Sequence, residues 1–424
     1  MNRKVAFYTL GCKVNQYETD VMTSIFEKDG YEVVEYEEYA DVYIVNTCTV
    51  TNMSDRKSRQ ILRRAKEINP DAVLCAVGCY AQVAQNVLED LKEIDIILGT
   101  NDKREILSAV NKFIEDKERY SKVTDILSER KYVEWNAMPH SLKARAEIKI
   151  QDGCDRYCTY CLIPYARGPV RSRDMDNIYN EIKEISKTEI KEIVITGIHI
   201  SSYGKDLADK PKLIDLLEKI SDIEGIERIR LGSLEPLIID EEFVTRLKAL
   251  PKVCNHFHLS LQSGCDETLK RMNRRYTTAE FKDRVELLRK HLPEVALTTD
   301  IIVGFPGETD EEFECTYEFL KDIKFSKMHV FKYSPRIGTK AAEFPNQIDG
   351  TKKDSRSEKL IELSENNEKE FASKYIGNEI EVLFENGHDG HTTNYIEVYS
   401  ENEQELNKII KVIPTKFENG KLLV

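Results

Sequence analysis

Apolar runs of strand length alternate with charged segments of helical spacing from Val5 to Tyr333 of this 424-residue chain. That alternation predicts an α/β protein built on parallel sheets covered by helices. The first runs are Val5 to Leu10, Val42 to Val45, Val73 to Val77 and Ile94 to Leu98. Three of them are closely followed by a cysteine: Cys12 in Gly-Cys-Lys-Val-Asn, Cys48 in Asn-Thr-Cys-Thr, and Cys79 in Val-Gly-Cys-Tyr. Parallel sheets build ligand sites at the carboxyl ends of their strands, so these three are predicted to meet on one sheet edge as a set of thiolates. Cys75 lies inside its run and reads as an ordinary buried residue.

A second series follows at Ala146 to Ile150, Ile193 to Thr196, Arg228 to Leu231, Phe257 to Leu261, Leu297 to Phe305 and Met328 to Tyr333. Its spacing is that of βαβ units of about thirty-odd residues. Six such units predict an open, partial (β/α)6 barrel of TIM type rather than the closed eight-unit form. Just after the first strand of this series lie Cys154, Cys158 and Cys161 in Gly-Cys-Asp-Arg-Tyr-Cys-Thr-Tyr-Cys. A fully ligated electron-transfer cluster takes four cysteines, and a structural zinc site is closed by four ligands. Three thiolates therefore leave one iron of a four-iron cluster open for chemistry. The competing reading is a zinc site completed by His140 or His199, which needs a ligand from outside the tight loop.

A cysteine-triad loop after the first strand of a six-unit barrel resembles the radical S-adenosylmethionine superfamily, and Cys12, Cys48 and Cys79 narrow that resemblance to its methylthiotransferase family. The segments Gly11 to Glu18, Asn46 to Thr51 and Cys161 to Gly168 are most similar to the branch acting on N6-threonylcarbamoyladenosine in tRNA. The resemblance spans essentially the whole chain. It implies an N-terminal α/β domain with an auxiliary iron-sulfur cluster at 1–125, the radical barrel at 140–350, a linking helix at 351–371 and a small TRAM-like β-barrel at 372–424. Two 4Fe-4S clusters and S-adenosylmethionine are the implied cofactors, one cluster on Cys154, Cys158 and Cys161, the other on Cys12, Cys48 and Cys79. The implied reaction replaces hydrogen on adenosine C2 by a methylthio group, and an aromatic C–H without an acidic proton calls for a radical. Tyr160, Thr196, Gly197, Glu235 and Gln262 stand where the family would contact the body of S-adenosylmethionine. An electron donor and a sulfur source are required partners that the sequence does not identify. Alternatives within the family are methylthiolation of isopentenyladenosine in tRNA or of an aspartate in a ribosomal protein. An alternative of another class is a non-catalytic iron-sulfur protein that binds RNA or senses redox state.

Formal net charge is −13, which argues against non-specific nucleic-acid binding and leaves room for a local basic surface. Arg56, Arg59, Arg63 and Lys66 fall on one face of a predicted helix, a stripe suited to phosphates. Lys270, Arg271, Arg274 and Arg275 form a second basic group, and Arg167, Arg171 and Arg173 a third. Near the C-terminus Ile380 to Phe384, Tyr395 to Val398 and Ile409 to Val412 read as strands. From Lys374 onward nine acidic residues stand against five lysines. That balance favours reading of RNA shape, or positioning of other domains, over a grip on phosphates. No apolar run approaches the length of a membrane helix, Met1 to Lys13 lacks a signal-peptide shape, and thiolates available to metal suit a reducing cytoplasm.

Overall fold

The computed structural model describes residues 3–135, 137–138 and 144–424; Met1 and His140 lie outside the described residues. Two compact units divide the chain. The first comprises 1–141, 151–173 and 334–339, the second 142–150, 174–333 and 340–424.

In the first unit, strands β1 (Lys4–Thr9), β2 (Glu32–Val34), β3 (Val42–Thr47), β4 (Val73–Gly78), β5 (Ile96–Leu98) and β6 (Tyr120–Lys122) form one parallel sheet in the order β2-β1-β3-β4-β5-β6. Every residue of β3 and β4 is buried, because helices cover both faces of the sheet; this is why those strands read as unbroken apolar runs. Tyr43, Val45, Leu74 and Ala76 pack into one core, Ile44, Cys75 and Val77 into the other. Cys75 is therefore a core residue, as its place inside the run predicts. The helix Lys13–Lys28 starts directly after Cys12, Asn52–Ile68 follows Cys48, and the short helix Cys79–Val83 begins at the third cysteine.

Strand β7 (Arg145–Asp152) contributes its residues up to Ile150 to the second unit; its last two residues pair with β8 (Arg171–Ser172) in the first. Strands β9 (Glu192–Gly197) and β10 (Arg228–Leu231) continue from β7, and β11 (His256–His258), β12 (Ala296–Val303) and β13 (Lys327–Lys332) form a parallel trio. A parallel bridge between Leu234 and Leu259 joins the two groups. Six strands thus stand in sequence order, with β7 and β13 unpaired to each other among the described residues. This is the expected open barrel. Its outer helices present apolar faces: Thr278–His291 buries Phe281, Val285 and Leu288 and starts with a Thr277/Glu280 capping box.

The helix expected before the tail spans Gly350–Ser373 and packs on β13, where Ser364 Oγ receives the Met328 N–H at 2.8 Å. Strands β14 (Ile380–Phe384), β15 (Asp389–Thr392), β16 (Glu397–Tyr399), β17 (Ile409–Val412), β18 (Lys416–Glu418) and β19 (Lys421–Leu423) make a mainly antiparallel sheet in the order β17-β14-β15-β16-β19-β18. Val382, Phe384, Val398 and Leu422 fill its core. This sheet is fastened to β10. Arg228 donates to the carbonyls of His391 (3.0 Å) and Glu381 (3.1 Å), and Arg230 to those of Thr393 (3.0 Å) and Thr392 (3.1 Å). The Tyr395 ring lies 4.6 Å from the Arg230 guanidinium and stacks on His256 at 4.9 Å. No helix among the described residues is long and apolar enough to cross a membrane.

Candidate functional site

Cys12, Cys48 and Cys79 follow the carboxyl ends of β1, β3 and β4, three neighbouring strands. Their strand ends stand side by side at one edge of the sheet. A Cβ placed on Gly11, whose φ is +106°, would stand 2.8 Å from Cys48 Sγ, so only glycine lets the chain before Cys12 approach that sulfur. Cys79 is near enough that charge on its sulfur would raise the thiol pKa of both others. Asn15, on the helix after Cys12, ties the ends of β1 and β3 together by donating to the carbonyls of Leu10 (2.7 Å) and Thr47 (3.0 Å).

Arg167 reaches this site from the other cysteine loop. It is fully buried at the end of the short helix Ile163–Arg167, six residues after Cys161. Its Nε donates to Cys79 Sγ at 3.2 Å. Nη1 meets Glu18 Oε1 at 2.6 Å and Asp152 Oδ2 at 3.2 Å, and Nη2 meets Glu18 Oε2 at 2.9 Å and Asn15 Oδ1. Burial alone would lower the guanidinium pKa, but Cys79, Glu18 and Asp152 together hold it well above its ordinary value. Lys103, also buried, pairs with the same Glu18. Two fixed cations therefore face a pocket of three thiols, the charge complement that thiolates need.

The second cysteine set is held by its own backbone. Gly153 has φ +73°, and a Cβ there would fall 1.8 Å from the Pro169 carbonyl oxygen. The Cys154 N–H donates to the Gly168 carbonyl at 2.9 Å, the Cys161 N–H to the Cys158 carbonyl at 3.0 Å, and the Ile163 N–H to Cys161 Sγ at 3.4 Å. Burial pushes the Cys48 and Cys154 thiols up to about 11, so ionising them is coupled to arrival of a cation. All six cysteines are free of disulfides. The all-sulfur donor sets fit clusters in which each thiolate meets its own iron.

The other sequence-predicted residues fall as follows. Tyr160 is half-buried in the first unit. Thr196, buried, and Gly197 end β9. Glu235 is buried after β10, with its N–H on Ser201 Oγ at 2.9 Å and its carboxylate 3.5 Å from His199 Nε2. His199 thus stands beside this carboxylate, a position that a lone histidine in sequence does not disclose. Gln262 has φ +75°, and its backbone is tied to β12 by bonds to Asp300 and Ile302. A non-glycine residue held in this region marks a site that its surroundings over-determine.

The basic groups require correction. Arg167, Arg171 and Arg173 are buried and cannot form a surface for phosphates. Lys66 is committed to Asp95 (3.0 Å) and the Ala72 carbonyl, and Arg59 to the Tyr80 hydroxyl (2.5 Å). Arg63 is exposed and 3.6 Å from Glu93, and Arg56 is exposed. Only part of the predicted stripe therefore faces solvent. In the second group, Arg271 is bound to Glu312, and Arg274 donates to the Ser260 carbonyl. The start of the helix Asn52–Ile68 has a contact sequence reading missed: Arg336 donates to Thr49 Oγ1 (2.6 Å), Asn52 Oδ1 (2.7 Å) and Asp55 Oδ2 (2.7 Å).

Comparison with known proteins agrees with these features. Residues 148–320 match the radical SAM superfamily, and residues 4–99 match uncharacterized protein family UPF0004. The chain is 43% identical over 418 residues to threonylcarbamoyladenosine tRNA methylthiotransferase MtaB of Bacillus subtilis, covering 96% of this chain and 93% of the relative. It is 41% identical over 410 residues to the Aquifex aeolicus protein of the same name, covering 97% and 100%. The fold is similar to the radical S-adenosylmethionine methyltransferase TsrM of Kitasatospora setae, with TM-score 0.57 and 17% identity over 81% of this chain and 77% of that one.

Proposed function

Because this chain belongs to the radical S-adenosylmethionine methylthiotransferase family, we propose that it converts N6-threonylcarbamoyladenosine beside the tRNA anticodon to its 2-methylthio derivative. The observation that carries this reading is near-full-length identity to two tRNA methylthiotransferases acting on that nucleoside. Cys154, Cys158 and Cys161 would hold one 4Fe-4S cluster, at which S-adenosylmethionine would bind, and Cys12, Cys48 and Cys79 would hold the second. When bound, the clusters supply the electron that opens S-adenosylmethionine and the sulfur delivered to adenosine C2.

The chain's own residues bind and orient. Arg167 fixes Cys79 and neutralises thiolate charge. Thr196, Gly197, Glu235 and Gln262 receive the body of S-adenosylmethionine, the Glu235 carboxylate accepting from ribose hydroxyls. The exposed arginines of the helix Asn52–Ile68 meet tRNA phosphates. The enzyme works in the cytoplasm with an electron donor and a sulfur source of its host.

The test is an anaerobic competition among tRNA carrying threonylcarbamoyladenosine, tRNA carrying isopentenyladenosine and the ribosomal protein substrate, with products read by mass spectrometry. Methylthio product on the threonylcarbamoyl tRNA alone is the expected result. Product on another substrate instead would overturn the specificity.

A further inference from the structure

We propose that His258, Asp300 and His329 form a mononuclear site for a first-row divalent cation, built without any of the six cluster cysteines. The three residues come from adjacent strands, β11, β12 and β13. Register places Thr298 beside His258 and Asp300 beside His329. Leu297, Thr299, Ile301 and Val303 are almost wholly buried, so Thr298, Asp300 and Ile302 project from the opposite face of β12. His258 and His329 share that face, their rings stacked at 6.0 Å.

One ligand atom from each of the three lies within 4.8 Å of the other two, and His258 Nε2 stands 3.4 Å from Asp300 Oδ2. Two ligands on one ion with bonds of about 2.1 Å are separated by about 3.0–3.4 Å, depending on geometry. The second nitrogen of His258 is already engaged: Nδ1 lies 3.0 Å from Thr298 Oγ1, which is also 3.0 Å from His256 Nε2. A polar partner on one ring nitrogen, orienting the other toward the ion, is the usual arrangement of a metal-ligating histidine. Lys327 does not occupy the place of the ion, because its ammonium is paired with Glu368 at 2.9 Å and lies 3.8 Å from Glu397. An isolated His258–Asp300 ion pair would account for two of these residues but not for His329, brought to the same point from a third strand.

Two imidazoles and one carboxylate suit zinc, ferrous iron, cobalt or manganese rather than calcium or magnesium. Three protein ligands leave at least one position for an oxygen ligand.

The test uses the full chain with both clusters reconstituted, dialysed anaerobically against zinc and analysed by elemental mass spectrometry. The wild-type protein is expected to retain about one zinc beyond its iron. H258Q and H329Q should weaken this binding by at least about 100-fold, and T298V, which spares the ligands, by about 10- to 100-fold. Iron content and thermal midpoint, followed in parallel, establish that each variant is folded and loaded. Absence of saturable zinc in the wild type, or equal zinc in folded H258Q and H329Q, would overturn the proposal. The measurement needs neither tRNA nor S-adenosylmethionine, so its failure is distinct from failure of the substrate assignment.

Discussion

Arg167 shows how much a single buried charge can organise. Its three nitrogens satisfy Glu18, Asn15, Asp152 and the Cys79 sulfur, and no lysine can reproduce that planar fork. Removing one partner of a buried charge network commonly costs about 3–5 kcal/mol, because the remaining charges lose their complement. Arg167→Gln should therefore lower unfolding free energy by about that amount and reduce the iron bound by the reconstituted protein, with Arg167→Lys intermediate. Denaturant unfolding and iron per chain measure both effects; a Gln variant as stable as wild type would remove the network from the argument. Cys12 belongs to the same pocket but carries a different prediction. Cys12→Ala should abolish methylthio transfer while cleavage of S-adenosylmethionine to 5′-deoxyadenosine survives, since the other cysteine triad is intact. Thiolated RNA from that variant would show that Cys12 is not a ligand.

At the scale of elements, β10 is the instructive case. Its sequence Arg-Ile-Arg-Leu reads as a strand, yet both arginines are buried, and their partners are carbonyls of the C-terminal sheet and the Glu192 carboxylate on β9. Long strands such as β3, β4 and β12 were legible because burial writes a continuous or alternating apolar pattern. The edge strands β2 and β6 and the tail strands β15, β18 and β19 were missed: at three or four residues they are too short to carry a period. The fastening of the tail was illegible for a related reason, since a buried Arg–carbonyl contact leaves no pattern in either segment. It also fixes the acidic tail to β10. Burial would raise the Glu192 carboxyl, but Arg230, Arg145 and Arg228 together hold it below the usual carboxylate range. A depressed carboxylate contributes stability that is present above the unfolded value of about 4.3 and is lost as pH falls through the lower folded value. Glu192→Gln should therefore be less stable than wild type by about 3–5 kcal/mol near neutrality, and the gap should close below about pH 4. Unfolding curves measured across this range check the sign; a gap that widened in acid would contradict it.

For the whole molecule, the question is how a chain of net charge −13 holds a polyanion. The placement of Cys12, Cys48 and Cys79 at neighbouring strand ends was readable from sequence, because strand order alone decides which loops share an edge. Basic residues gave no such guarantee. Of three candidate groups, one proved buried and another is partly spent on Glu312, since charge complementarity depends on partners far away in sequence. What remains exposed near Cys48 is the outer face of the helix Asn52–Ile68: Arg56, Lys57, Arg63 and Arg64. Side chains that meet phosphates displace counterions, so each one lost should reduce the slope of log affinity against log salt by about one. A doubly substituted Arg56→Ala, Arg63→Ala protein is therefore expected to bind tRNA more weakly at low salt, with a slope smaller by about two and no change in preference among tRNA sequences. Lys66→Ala should leave that slope unchanged and instead destabilise the first unit, because Lys66 serves Asp95 and the turn at Ala72. Filter binding across a salt series separates the two outcomes, and a slope lost with Lys66 but retained without Arg56 and Arg63 would place the RNA on a different face.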